Sequence, residues 1–204
     1  MLELTSAVNR LENFHKYMNE AYIYLKKHKE ILDTHPMWYR LMLDISKGQK
    51  WDKKRFFSLL DEAILKYPYF EPIYYGALFH MHPKSASFSH AEIEIVAQKA
   101  LKATKDKMNN SMYAKFYWVA SQAIYKEKLF LDSNVKWEIM RKGIDDVLKD
   151  FPSQRNINYF AYYSCLAKDK NKTKELLSMI IKEPSKYPWI KNDNFYTKCV
   201  NWSK

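Results

Sequence analysis

The sequence predicts an all-α fold, a right-handed array of antiparallel helix hairpins, and three observations predict it. Apolar residues recur at three- and four-residue steps along most of the 204-residue chain, the pattern of helices that bury one face. The chain holds 3 glycines and 7 prolines, which leaves few residues for the tight turns of an all-β fold. Prolines or polar clusters fall between the periodic stretches, so the chain reads as helix, break, next helix. A content of 47% hydrophobic and 16% aromatic residues supplies a real core, so disorder is not expected.

Thr5 to Leu32 carries an apolar stripe through Val8, Leu11, Phe14, Met18, Ala21, Tyr22, Leu25 and Leu32, with Thr5 or Ser6 as cap. Asp33-Thr34-His35-Pro36 breaks it, and Pro36 sits in the first turn of a helix through Trp38, Leu41, Met42 and Ile45 that ends at Gly48. The best-punctuated helix follows. Asp52 caps it, Phe56, Leu59, Leu60, Ala63, Ile64 and Tyr67 share a face, and Pro68 closes it. Glu71-Pro72 opens the next helix, running to His80. Ser89 caps Ala91 to Lys105, with Glu92 placed for a capping box. Asn109-Asn110-Ser111 starts an aromatic-rich helix, and Asp132-Ser133-Asn134 offers caps for Val135 to Lys149, which Phe151-Pro152 stops. Ser153 to Ala167 and Lys170 to Ile181 form the last pair, and Asn194 to Trp202 reads as a short terminal helix.

Helix pairs beginning near Met37, Phe70, Ser111 and Gln154 are spaced by 33, 41 and 43 residues. These steps suit a tetratricopeptide-like solenoid with irregular repeats, in which each pair buries its apolar face against the next. The expected organisation is one domain over residues 1–204: an N-terminal helix (1–35), four helix pairs (36–183) and a C-terminal cap (184–204).

No apolar run approaches the roughly 20 residues of a membrane-spanning helix, and Met1-Leu2-Glu3-Leu4 lacks a secretory layout, so a cytoplasmic protein is expected. Cys165 and Cys199 are too few for a disulfide scaffold and read as free thiols. The formal charge of +11 invites a nucleic-acid reading, but only five of the 34 cations are arginines, the residue suited to bidentate phosphate contacts. A lysine-rich solvated surface accounts for the rest.

Pro36-Met37-Trp38-Tyr39, Trp51 with Phe56, Tyr67-Pro68, Tyr74 and Pro83-Lys84 follow one another in an order that continues through Tyr113-Ala114, Tyr117-Trp118, Asn158-Tyr159-Phe160-Ala161, Cys165, Asp169 and Trp189. In that order, over residues 36–189, the chain resembles a bacterial all-helical family of unknown function with degenerate tetratricopeptide-like helix pairs. The resemblance implies a non-enzymatic domain and carries over no catalytic residues. Ser85-Ala86-Ser87 departs from the tryptophan and glycines of that pattern, so the loop after Pro83-Lys84 is expected to differ in shape.

His80-x-His82, with His90, Glu92 and Glu94 nearby, is the best metal-like cluster, but two histidines two apart do not share a helix face. Surface or core roles account for them, and no metal or cofactor is expected. Cys165 lies among Phe160, Ala161, Tyr163 and Leu166 and reads as a buried thiol. Asp61-Glu62 and Asp145-Asp146 point about 100° apart on their helices, so solvated charge is the reading. No phosphate loop or zincin motif is present.

The series Tyr74, Tyr75, Phe79, Tyr113, Phe116, Tyr117, Trp118, Tyr159, Tyr162 and Tyr163 lies on the first helices of successive pairs. In a solenoid these helices line the concave face, where tyrosine and tryptophan anchor a partner, although aromatic stripes at helical spacing are most often core. Tyr75, Lys115, Tyr117, Arg155 and Tyr162 are the chosen groove positions. The expected function is a non-catalytic scaffold binding an acidic protein partner, one form of it an immunity or antitoxin-like protein that blocks a cognate toxin. Nucleic-acid binding through the lysine-rich surface is the alternative, and an enzyme site around His80, His82 and Lys84 is the third.

Overall fold

The computed structural model describes residues 2–82, 88–181, 183–189 and 194–204, with side chains described from residue 12 onward. Pro83-Lys84 and Ser85-Ala86-Ser87 therefore lie outside the described residues. Helix is the only regular structure among the described residues. The chain packs into two compact units, Met1–Val96 and Ala97–Lys204, where the sequence leads to one domain.

In the first unit, α1 (Leu2–Lys27) breaks at His28 and continues as α2 (Lys29–Leu32). Helix α3 (Met37–Gly48) lies against α1, α4 (Lys53–Lys66) and α5 (Pro72–His80). The core between them is Tyr39, Leu43, Phe56, Leu60, Ala63, Ile73, Tyr74 and Leu78, all fully buried apart from traces. Of the expected caps, Asp52 and the Ser89–Glu92 box are in place, while Thr5 and Ser6 lie inside α1 rather than at its start. Asp52 accepts from Arg55 N–H (2.8 Å), and Ser89 and Glu92 exchange bonds as a capping box, the Ser89 N–H donating to Glu92 Oε2 (2.7 Å) and the Glu92 N–H to Ser89 Oγ (3.2 Å). Helix α6 (His90–Met108) begins there and runs across the boundary between the units.

In the second unit, α7 (Ser111–Ala120) gives way to a π turn over Ser121–Tyr125, a 3₁₀ turn over Lys126–Lys128 and α8 (Leu129–Asp132). Helix α9 (Trp137–Asp150) packs on α7, and α10 (Gln154–Leu166) pairs with α11 (Lys170–Ser178). A short turn α12 (Lys186–Trp189) covers α10, and α13 (Phe195–Ser203) covers α11. Helix α9 starts two residues later than expected. Ser133 caps the preceding turn instead, while the Lys136 N–H donates to Tyr113 Oη (2.9 Å). The π turn has no glycine or proline to announce it in the sequence.

Two kinds of hairpin turn recur. At Tyr67-Pro68 and Phe151-Pro152 the aromatic residue leaves the helix at nearly the same angles, φ −136°, ψ 61° and φ −134°, ψ 68°, because the following proline disfavours a helical conformation. Its N–H still returns to Ala63 or Val147 at 2.8 Å. At Lys50 and Lys168 the chain instead takes positive φ of 52° and 58°, and the next residue's N–H bonds five residues back, Trp51 to Ser46 and Asp169 to Ser164. Glycines stand elsewhere, inside helices. A Cβ on Gly143 of α9 would sit 2.8 Å from the Ala114 Cβ of α7.

Cys165 and Cys199, read from the sequence as free thiols, are joined in a disulfide with Cα atoms 5.9 Å apart. Helices α10 and α13 bring them together across 34 positions, which only the tertiary fold reveals. The bridge fastens the C-terminal helix to α10.

The α7–α9 crossing gives a direct prediction. Alanine is ordinarily worth about 1 kcal/mol over glycine inside a helix. Gly143→Ala is expected to do the opposite and lower unfolding free energy by about 1–3 kcal/mol, the cost of overpacking. Urea denaturation of the two proteins checks it.

Candidate functional site

Helix α10 shows two faces. Ile157, Phe160, Ala161 and Ser164 are buried in the core, while Arg155, Tyr159 and Tyr162, at steps of four and three, turn away from it. Tyr159, Tyr162 and Tyr163 form one wall of a cavity of about 240 Å³. Ser121, Gln122, Lys126 and Glu127 from the π turn and its continuation supply the second wall, and Tyr187-Pro188 the third. An adjoining cavity of about 340 Å³ shares Tyr159 and Tyr187 and adds Arg155, Ser185 and Lys186.

The walls are held by identifiable bonds. Asn158, fully buried on α10, donates from Nδ2 to the Gln154 carbonyl (2.8 Å) and accepts at Oδ1 from both the Ser185 N–H (3.0 Å) and the Trp189 indole N–H (2.9 Å). Gln154 fixes the approach, donating to the Met179 carbonyl (3.1 Å) and accepting from the Ile181 N–H (3.0 Å). These contacts place Tyr187 and Pro188. Trp189 in turn meets Tyr162 edge-on at 5.5 Å, and Phe195 of α13 meets Tyr162 at 5.4 Å. The disulfide ties α13 to the same helix.

On the opposite wall, Lys126 has φ 51° and ψ −130°, a conformation that costs a non-glycine residue about 1–3 kcal/mol. Such strain and π turns both concentrate at functional sites. Ser121 anchors this wall through the Tyr163 hydroxyl. Burial pushes the Tyr163 phenol up, and burial and then the Glu127 charge do the same for Tyr162, so both remain un-ionised. The Arg155 guanidinium lies 5.9 Å from the ring centres of both Trp118 and Tyr159. The result is flat aromatic walls with phenolic hydroxyls, flanked by Lys126, Arg155 and Lys186 against the Glu127 carboxylate. That chemistry receives a group with an apolar body and a negative charge.

Arg155 and Tyr162 were chosen from the sequence, and the structure puts both here. It puts neither Lys115 nor Tyr117 in the wall of either cavity. Tyr117 is fully buried, its ring 5.0 Å from Tyr113 and 5.6 Å from Phe116, because α9 covers that side of α7. Tyr117 is therefore core and presents no groove surface. Tyr75 belongs to the first unit, half-buried, with its hydroxyl donating to Glu71 Oε2 (2.7 Å). Lys115 is half-buried, its ammonium 5.6 Å from the Phe151 ring centre. Tyr159 and Tyr163 belonged to the aromatic series but were not chosen. Gln122, Lys126, Glu127, Tyr187 and Pro188 carried no readable signal.

The histidine cluster dissolves. Among the described residues no three His, Cys, Asp or Glu side chains are placed to hold a metal ion. His80 is buried, stacked on Phe56 at 4.4 Å and edge-on to Phe88 at 5.4 Å. Its Nδ1 lies 3.0 Å from Ser46 Oγ, whose own proton goes to the Leu43 carbonyl (2.7 Å), so Nδ1 carries hydrogen and donates. Lys84, the third member of that expected enzyme site, is outside the described residues. The paired carboxylates are structural. Glu62 holds Lys29 (2.6 Å) and accepts from the Tyr39 hydroxyl (2.8 Å), Asp145 pairs with the buried Lys172, and Asp146 accepts from the Asn110 N–H (2.8 Å) and Nδ2 (2.9 Å).

No family model matches this chain, and neither do curated proteins or solved structures.

Burial, with the Lys47 charge adding to it, lowers the His80 imidazole to about 4 from its ordinary 6.5. The unfolded chain therefore binds a proton that the folded chain refuses between those values. The stabilisation is complete above pH 6.5 and is lost as pH falls toward 4, to a total of about 3 kcal/mol. Chemical denaturation of wild type and His80→Gln at pH 7 and pH 4.5 is expected to show a steeper acid loss in wild type. Parallel losses would contradict it.

Proposed function

We propose that this chain is a non-catalytic helical scaffold that binds a protein partner through the α10 face. The tyrosine-walled cavity takes an apolar or aromatic side chain of an acidic, extended segment. The carrying observation is the convergence of Tyr159, Tyr162, Tyr163 and Tyr187 on one cavity whose margin holds Lys126, Arg155 and Lys186. Tyrosine offers large contact area at low entropic cost, and arginine over an aromatic ring is pre-organised for a carboxylate. The charge of +11 adds long-range attraction to an acidic partner.

A tetratricopeptide-like arrangement supports this reading, since in such arrays the first helix of each pair carries the binding surface. Helices α3, α5, α7 and α10 start at Met37, Pro72, Ser111 and Gln154, against pair starts expected near Met37, Phe70, Ser111 and Gln154, and α3 lies beside α5 within its unit. An immunity or antitoxin-like role, in which the bound segment belongs to a toxin, is one form of the same activity. The Cys165–Cys199 bridge favours an oxidising compartment over the cytoplasm expected from sequence, because reducing compartments keep thiols apart. No helix among the described residues is long and apolar enough to cross a membrane.

Fluorescence polarisation with a labelled glutamate-rich decapeptide containing one phenylalanine tests the proposal. Binding is expected to weaken at least about tenfold, or about 1.4 kcal/mol, in Arg155→Glu and in Tyr162→Ala. A lysine-rich peptide with the same phenylalanine is expected not to bind. Equal binding of both peptides, or variants that bind as wild type, would overturn the reading. Tight binding of a single-stranded oligonucleotide with a steep salt dependence would replace it with nucleic-acid recognition.

A further inference from the structure

Among the described residues helix α1 has two apolar faces, one packed against α3 and the other exposed. The inner face carries Met18, Tyr22 and Leu25, continued by Leu32 of α2, all partly buried on the α3 side. There the Trp38 indole donates to the Leu25 carbonyl (3.0 Å), Arg55 reaches the Tyr22 hydroxyl (2.6 Å), and Gly48 makes room for the Met18 side chain. The outer face carries Tyr17, Ala21 and Tyr24, continued by His28 and by Ile31 of α2, while Phe14 lies with Met18 near Gly48 on the inner side. Of the outer residues, Tyr17 is 63% exposed, Tyr24 59% and Ile31 71%. Exposing one such side chain is ordinary, but three along one stripe is a surface shaped for contact.

The spacing identifies the contact. Positions 17, 21, 24, 28 and 31 alternate steps of four and three, the 3.5-residue repeat with which one helix seats against another. One flank of this stripe, Met18, Leu25 and Leu32, is already committed to the chain's own interior. The free flank carries Glu20 and Lys27, both exposed. We propose that a second copy of this chain docks on this face, α1 against α1 in antiparallel sense, to form a two-fold dimer.

Antiparallel pairing follows from the flanks. With Ala21 of one copy opposite Tyr24 of its partner, Tyr17 falls opposite His28, so small meets large at the centre. The same register sets Glu20 of each copy beside Lys27 of the other, and the two-fold axis makes the pair twice. A parallel pair would put Glu20 beside the partner copy's inner flank at Leu25 and away from Lys27. The mixture of Glu12, Lys16, Glu20, Lys26, Lys27 and Glu30 along the helix also fits a partner of mixed charge rather than an anionic membrane surface.

Sedimentation equilibrium of the full chain across micromolar concentrations tests this, with far-UV circular dichroism as the check on folding. Wild type is expected at twice the 24.6 kDa chain mass, and Tyr17→Glu/Tyr24→Glu as a monomer of unchanged helicity. Glu20→Lys is expected to raise the dimer Kd about tenfold, since two favourable pairs become repulsive. Adding Lys27→Glu to it is expected to restore the dimer, which a parallel pairing or a general charge effect would not do. A monomeric wild type, a dimer that survives the double tyrosine substitution, or an exchange variant no better than Glu20→Lys would overturn the proposal.

Discussion

The buried amide of Asn158 is the interaction on which the candidate site depends. The described residues between α11 and α12 have little regular structure of their own, so the backbone and indole N–H groups of Ser185 and Trp189 need acceptors from elsewhere. Asn158 Oδ1 accepts two of them at once, from Ser185 and Trp189, while its own Nδ2 goes back to the Gln154 carbonyl of the same helix. An unmet buried donor costs about 1–3 kcal/mol, so losing this one oxygen strands two groups together. Tyr187 and Pro188, the outer wall of the cavity, stand between the two residues that Asn158 holds.

Around this anchor the second unit divides its labour between polar and apolar contacts. Lys172, buried on α11, ties that helix to α9 through Asp145, and Asp169 caps α11 while accepting from the Trp137 indole (3.0 Å). The disulfide adds a covalent link from α10 to α13, closing a long loop and so restricting the unfolded chain. The helix that carries Tyr159 and Tyr162 outward is thus held by Asn158 and by the disulfide to α13. A rigid back and an aromatic front suit a surface that must be ready before its partner arrives.

Much of the helical grammar was legible in the sequence because it is local. Asp52, the Ser89–Glu92 box and the Tyr67-Pro68 and Phe151-Pro152 stops follow from capping and proline geometry within a few residues. What depended on distant neighbours was not legible. Tyr117 and Tyr162 look alike as tyrosines on amphipathic helices, yet α9 covers the first and leaves the second at a cavity edge. The π turn at Ser121–Tyr125 carries no proline or glycine, and helical periodicity ran straight through it. The pairing of Cys165 with Cys199 needed two helices 34 positions apart to meet.

Amide and indole hydrogen exchange followed by NMR tests the central claim most directly, because it reads the two N–H groups that Asn158 holds. The Ser185 backbone N–H and the Trp189 indole N–H are expected to be as strongly protected as the core amides of α10, opening only with the unit itself. Exchange of both at the rates of free peptide, with α10 still protected, would contradict the account: the cavity wall would then not be held by Asn158.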